Sequence, residues 1–259
     1  MVDKFKIKHE GSVYPTNKSG PLIITNYTDK KNVTVKFVET GYETKVEMCQ
    51  IRRGEVRDRS LPTICGVGVI GDATTIDNKG KHLPEYTLWS NMLRRCYGEN
   101  RLVKSPSYDG CSVSDEFLNF TFFTDWCNNQ VGFGSRDYKN EPYALDKDIL
   151  VKGNKVYSED TCGFVPREVN NLFTLRKNKR GDSIIGVCYA KANKKFVAQL
   201  NTGKGIQDRL GYFNKEAEAF FAYKQAKESY IKEVANKWKD KIDTRVYEAL
   251  MNWVVEITD

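Results

Sequence analysis

Residues 185–238 read IGVCYAKANKKFVAQLNTGKGIQDRLGYFNKEAEAFFAYKQAKESYIKEVANKW. The first half alternates apolar with polar or basic residues in three bursts, 185–191, 195–201 and 208–213, and Gly and Asn fill the gaps as turn formers. That pattern predicts three antiparallel strands. From Lys215 the period changes: Ala219, Phe220, Tyr223, Ala226, Lys227, Tyr230, Ile231 and Val234 recur at three- and four-residue steps, which predicts an amphipathic helix. Such a helix buries one face of the sheet and leaves the other to solvent or a ligand. The helix aromatics Phe220, Phe221, Tyr223, Tyr230 and Trp238 read as core.

The charge around this stretch is lopsided. Between residues 174 and 205 stand Arg176, Lys177, Lys179, Arg180, Lys191, Lys194, Lys195 and Lys204 against the single acid Asp182. A local basic excess of this kind suits a polyphosphate partner. Tyr189, Gln199, Asn201 and Arg209 add groups that pair with base edges or phosphate. The competing reading is that the lysines only keep an exposed turn soluble.

Gly186-Val187, Phe196-Val197-Ala198-Gln199-Leu200, Leu210-Gly211-Tyr212-Phe213 and Glu216-Ala217-Glu218-Ala219 together resemble the ethylene-response-factor (APETALA-like) type of DNA-binding domain. The resemblance implies a sheet lying in the major groove of double-stranded DNA, with Tyr189, Lys191, Lys194, Lys195, Gln199, Asn201, Lys204 and Arg209 as its contacts.

The chain has 259 residues, a formal charge of +7 and a pI near 8.9, with ordinary globular composition. No apolar run approaches the roughly 20 residues that span a bilayer, and the start MVDKFKIKHEG lacks the apolar core of a signal peptide, so a cytoplasmic protein is expected. Seven scattered cysteines without a C-x-x-C pair read as free, buried thiols. A zinc site from Cys96, Cys111 and Cys162 is the weaker alternative, because no close pair anchors it.

Residues 1–71 read as a small β-barrel of the SH3-like sort, with strands at 21–27, 32–39 and 42–51, serving as an accessory module or a contact for a protein partner or nucleic acid. Residues 72–84 form a linker, continuing the Gly-rich run 61–78. A middle domain, 85–175, opens with a helix carrying Leu88, Trp89, Met92, Leu93 and Cys96, closed by Arg94 and Arg95 at the negative end of its dipole. A strand at 111–114 follows, then a helix capped by Asp115 with Phe117, Phe120, Phe123, Trp126 and Cys127. Residues 176–259 form the last domain, ending in a helix over 244–257. The whole is an α+β chain.

Within the middle domain, Tyr86-x-x-Trp89-x-x-Met92-x-x-Arg95-Cys96-Tyr97, Tyr108-x-Gly110-x-x-Val113-x-Asp115-x-Phe117, Leu145-Asp146-Lys147-Asp148, Tyr157-Ser158 and Cys162 before Asn170-Asn171 resemble the phage HNH-type, homing-endonuclease-like proteins. The resemblance implies a ββα region, a hairpin of 143–149 with 155–157 followed by a helix over 166–173. It would hold Mg²⁺ on Asp146 and Asp148, which two places apart on a strand point the same way, for phosphodiester hydrolysis, with Asn154 and Asn170 orienting groups around it and Arg94 and Arg95 on DNA. The competing reading is that the two carboxylates are solvated charges flanking the hairpin and the asparagines cap turns and the helix. The motif's Asp-His reads Asp146-Lys147 here, so a histidine base could come only from His82, and a lysine left neutral by burial is the weaker alternative. Two functions stay open: a metal-dependent DNA endonuclease, and a catalytically degenerate DNA- or protein-binding regulator or phage anti-defence factor.

Overall fold

The computed structural model describes residues 9–173, 183–202 and 207–259, except for the side chains of Lys104 and Gln207. Helix and sheet are mixed, as expected of an α+β chain, and the chain divides into two units, Met1–Trp126 and Cys127–Asp259. The span covered by the HNH resemblance therefore contributes elements to both.

The first unit begins with β1 (Val13–Tyr14), β2 (Leu22–Asp29), β3 (Asn32–Phe37) and β4 (Glu43–Val46), antiparallel in that order. The Asp29 carboxylate accepts the backbone N–H groups of Lys31 and Asn32, which closes the β2–β3 turn. Alternation puts Leu22, Ile24, Val33, Val35 and Phe37 on one buried face. Each such side chain contributes about 1.5–3 kcal/mol over an exposed position. The strands form an open sheet: no pairing joins β1 to β4 among the described residues, so no barrel closes. The strand expected over 42–51 stops at Val46. Glu47 instead caps α1 (Met48–Arg52), with the Gln50 side chain accepting the Glu47 N–H, and Met48 and Ile51 close the core.

The run read as linker contains a hairpin, β5 (Pro62–Ile64) and β6 (Gly68–Val69), turned by Cys65 and Gly66 at φ 53° and 72°. Gly68 is required there, because a Cβ would stand 2.4 Å from a Leu93 methyl. Leu93 lies on α2 (Pro84–Tyr97), which starts with proline and buries Trp89, Met92, Leu93 and Cys96. Next come α3 (Arg101–Lys104), a 3₁₀ turn (Pro106–Tyr108), β7 (Ser112–Val113), α4 (Asp115–Leu118) and α5 (Phe120–Asn128). Ser114, not Asp115, caps α4 by accepting the Phe117 N–H. The single helix expected after it is broken at Asn119, whose backbone bridges Val69.

The second unit carries β8 (Ala144–Asp146), β9 (Val156–Tyr157), β10 (Gly163–Val165) and α6 (Arg167–Asn170), which runs into a 3₁₀ turn (Asn171–Phe173). Strand β8 pairs with β10, Asp146 opposite Gly163, and not with 155–157 as the sequence suggested. Strands β11 (Val187–Ala190), β12 (Lys195–Asn201) and β13 (Gln207–Phe213) form the expected antiparallel sheet. The long α7 (Glu216–Trp238), a 3₁₀ turn (Lys239–Lys241) and α8 (Thr244–Met251) complete the unit. Helix α8 ends earlier than the expected 257, and Val254 is exposed.

Helix α7 organises this unit. Gly186, at φ +72°, lets the sheet approach so closely that a Cβ would lie 2.1 Å from the Tyr223 ring. At the other end Glu168 of α6 accepts hydrogen bonds from Trp238 Nε1 at 2.8 Å and Lys237 Nζ at 2.6 Å. Lys227 Nζ donates to the Leu172 carbonyl at 2.7 Å, and burial pushes its pKa down to about 8. Ala219, Tyr223, Ile231, Val234, Ala235 and Trp238 are buried, whereas Phe221, read as core, is 58% exposed.

Candidate nucleic-acid interface and acidic hairpin

The register of the C-terminal sheet sorts its side chains. Paired residues share a face and neighbours alternate, so Val187, Tyr189, Phe196, Ala198, Gly211 and Phe213 lie on one side. Val187, Ala198 and Leu200 are buried there, and Gly186 meets Tyr223, so this is the side that α7 covers. The other side carries Cys188, Lys195, Val197, Gln199, Asn201, Arg209 and Tyr212, with a bulge after Ala198 that sets Arg209 opposite Gln199. Val197 is buried at its centre, while Cys188, Lys195, Asn201, Arg209 and Tyr212 are exposed and Gln199 is half-buried.

The guanidinium of Arg209 donates to the Tyr212 hydroxyl at 2.9 Å and lies 5.6 Å from the ring centroid. Those contacts hold the planar fork beside the Tyr212 side chain. Lys191 and Lys194 sit in the β11–β12 turn, with Lys194 at φ 51°, and both are exposed. None of Lys191, Lys194 and Lys195 forms an ion pair among the described residues. The structure thus brings Lys195, Gln199, Asn201 and Arg209 onto one open face. Tyr189 falls on the opposite side against Phe196, ring centroids 5.2 Å apart, although it is half exposed at the sheet edge. Lys204, and the basic residues Arg176, Lys177, Lys179 and Arg180, lie outside the described residues. Sequence reading missed Tyr212, which shares a face with Arg209, three residues away, only because of the bulge.

The acidic hairpin is built differently. Asp146 ends β8, and its Oδ1 accepts the backbone N–H groups of Asp148 and Ile149, both at 2.9 Å. That cap turns the chain, so Asp148 stands in a turn and not two places along a strand, as expected. The carboxylates still face each other. Burial first, and the Asp148 charge second, push the Asp146 carboxyl up to about 6. Lys147, in the place of the motif histidine, donates to Asp148 Oδ2 at 3.3 Å and to the Asn154 carbonyl at 3.1 Å, with only 12% of its side chain exposed. Burial, with a smaller contribution from Asp146, pushes the nearby Cys162 thiol up to about 12.

Asn154 is wholly engaged: its Nδ2 donates to the carbonyls of Lys147 and Val156, both at 2.7 Å, and its Oδ1 accepts the Val156 N–H. It clamps the loop. Asn170 is the last residue of α6, with its backbone N–H on the Pro166 carbonyl. His82 belongs to the first unit, where it is exposed, its Nδ1 3.4 Å from the Thr75 carbonyl and its ring 4.8 Å from Tyr86. Both histidines of the chain precede residue 83, so the second unit has none. Arg94 and Arg95 form the last turn of α2; Arg94 is exposed, and Arg95 lies 5.4 Å from the centroid of the Tyr108 ring.

Among the described residues no three His, Cys, Asp or Glu side chains cluster as a metal site. The Asp146–Asp148 pair nonetheless fits a magnesium ion in one respect. Magnesium is commonly held by one or two carboxylates, with water and substrate phosphate filling the rest, and a cation would offset the Asp148 charge that, second to burial, raises the Asp146 carboxyl. No disulfide joins the seven cysteines; Cys49, Cys65 and Cys188 are exposed, contrary to the expectation of buried thiols, and the other four are buried. No helix among the described residues is long and apolar enough to cross a membrane. No family model, curated protein or solved structure matches the chain.

Proposed function

We propose that this protein binds double-stranded DNA through the open face of its C-terminal sheet. The observation that carries the reading is the convergence of Lys195, Gln199, Asn201 and Arg209 on the side away from α7, beside a turn with two further lysines. Lysines of the turn neutralise phosphates, the Arg209 fork matches guanine O6 and N7, and the amides of Gln199 and Asn201 match adenine. The resemblance to the ethylene-response-factor domain points the same way. Duplex affinity measured by fluorescence anisotropy tests it. Lys195→Ala with Arg209→Ala is expected to weaken binding about tenfold or more, at about 1–3 kcal/mol for a lost bidentate base contact. An unchanged affinity rejects the sheet as the interface.

A second reading is favoured by the paired carboxylates: metal-assisted phosphodiester hydrolysis of the HNH kind at the acidic hairpin. Asp146 and Asp148 would hold the Mg²⁺, which supplies charge neutralisation at the departing phosphate oxygen. The chain's own residues support less than the full chemistry. Asn154 is engaged in clamping the loop, and Lys147 is tied as a cation between Asp148 and the Asn154 carbonyl where a base is needed. These contacts favour the degenerate form, a DNA-binding regulator of phage type. Nicking of plasmid DNA with Mg²⁺ or Mn²⁺, lost in Asp148→Ala, would restore the endonuclease reading; no nicking by the wild type removes it.

A further inference from the structure

The first unit contains an open groove of about 810 Å³, lined by the Arg94 and Arg95 that the sequence reading placed on DNA. Its floor is the last turn of α2, one wall is the Cys65–Gly66 turn of the β5–β6 hairpin, and the opposite wall is the start of α3. Arg94, Arg95 and Arg101 all line it, against the single acid Glu99. None of the three guanidiniums has an ion-pair partner among the described residues. Arg95 is held in place by the Tyr108 hydroxyl at 3.5 Å and by that ring's face. Asn91 and Asn100 add amide groups to the rim.

Three guanidiniums around one concavity repel one another, and a folded chain gains from such an arrangement when an anion occupies it. Guanidinium forks match the paired oxygens of a phosphate, and the volume lies within the range of small-molecule sites. The groove is open beside the Cys65–Gly66 turn, where no atom lies within 4 Å of the position a Gly66 Cβ would take. We propose that this groove is a binding site for a phosphate ester, held by Arg94, Arg95 and Arg101, separate from the C-terminal sheet. The ligand is either a free nucleotide or the backbone of a nucleic acid. The site does not depend on the sheet reading, and it can stand if that reading fails.

The test uses the full chain in EDTA, which keeps divalent cations off the acidic hairpin. The probes are ATP, followed by calorimetry, and a short fluorescein-labelled duplex, followed by anisotropy. Arg94→Ala with Arg101→Ala removes two forks that project from the surface, and Arg94→Lys with Arg101→Lys keeps the charge while losing the fork. Saturable ATP binding that drops about tenfold or more in both double variants supports the proposal with a free nucleotide as ligand. Duplex binding that drops by that factor in both, with no ATP binding, supports it with a nucleic-acid backbone. If neither probe loses more than about twofold, or if the lysine pair binds as tightly as the wild type, the proposal is overturned. Lys195→Ala with Arg209→Ala serves as the comparison: a loss confined to that variant supports the sheet and rejects the groove.

Discussion

The C-terminal sheet and the acidic hairpin belong to the same unit, yet their charged groups are in different states. On the sheet, Lys195 and the turn lysines have no carboxylate partner among the described residues, and Arg209 is steadied by Tyr212 while it stays exposed. In the hairpin, one oxygen of Asp146 caps two N–H groups, Asn154 bonds the backbone three times, and Lys147 is held between two acceptors. Residue type alone does not tell the two apart. What separates them is whether the fold has already satisfied the group: a satisfied polar side chain stabilises its loop, and an unsatisfied exposed one is available to a partner.

The sharpest way to break the sheet half of this contrast is Gly186→Ala. The left-handed backbone and the 2.1 Å approach to Tyr223 together should cost about 3 kcal/mol, from overpacking plus the strain of a side chain at positive φ. Urea unfolding reads this, and a loss below about 1 kcal/mol would mean the sheet does not rest on Tyr223 as described.

The hairpin half is read by pH. Asp146 takes up a proton more readily in the folded chain, at about 6, than its ordinary value of 3.8. The folded state therefore binds more protons between those values, and stability falls as pH rises from about 4 to 6, by up to about 3 kcal/mol at 1.36 kcal/mol per pH unit. Asp146→Asn keeps an oxygen for the two N–H groups and removes the buried charge. It is expected to flatten that slope and to be the more stable protein at pH 8, by about 1–2 kcal/mol. Equal slopes in the two proteins would show that Asp146 is not the titrating group.

Asn154→Ala leaves the Lys147 and Val156 carbonyls and the Val156 N–H without their partner, a loss of about 1–2 kcal/mol by thermal unfolding. Its duplex affinity should stay at the wild-type value, because the residue serves the loop. A fall in affinity without a fall in stability would instead make it a DNA contact.

What the sequence made legible was what is local. The alternation through 187–190, 195–201 and 207–213 and the helical period after Lys215 each depend on residues close in the chain, and the structure has those elements. The sorting of Tyr189 from Arg209 onto different faces needed the pairing register and the bulge at Ala198, which no short stretch encodes. The same holds for β8, whose partner β10 lies beyond the nearer strand 156–157. Some misses did have a local signal: Glu47 followed by Gln50 is a capping pair that marks α1, and Ser114 ahead of Asp115 and Glu116 is a better cap than Asp115. Arg101 escaped notice in the site reading because its neighbours in the groove come from α2 and from the 62–69 hairpin.

The central claim is that the open sheet face neutralises phosphates, and the most direct measurement is duplex affinity as a function of salt. Each phosphate contact contributes about 0.9 to the slope of log K against log salt concentration. The wild type should show a steep loss of binding as salt rises, and Lys191→Ala with Lys195→Ala should shallow the slope by about 2. A wild-type affinity that is flat in salt, or a slope unchanged by that pair of substitutions, would contradict the account.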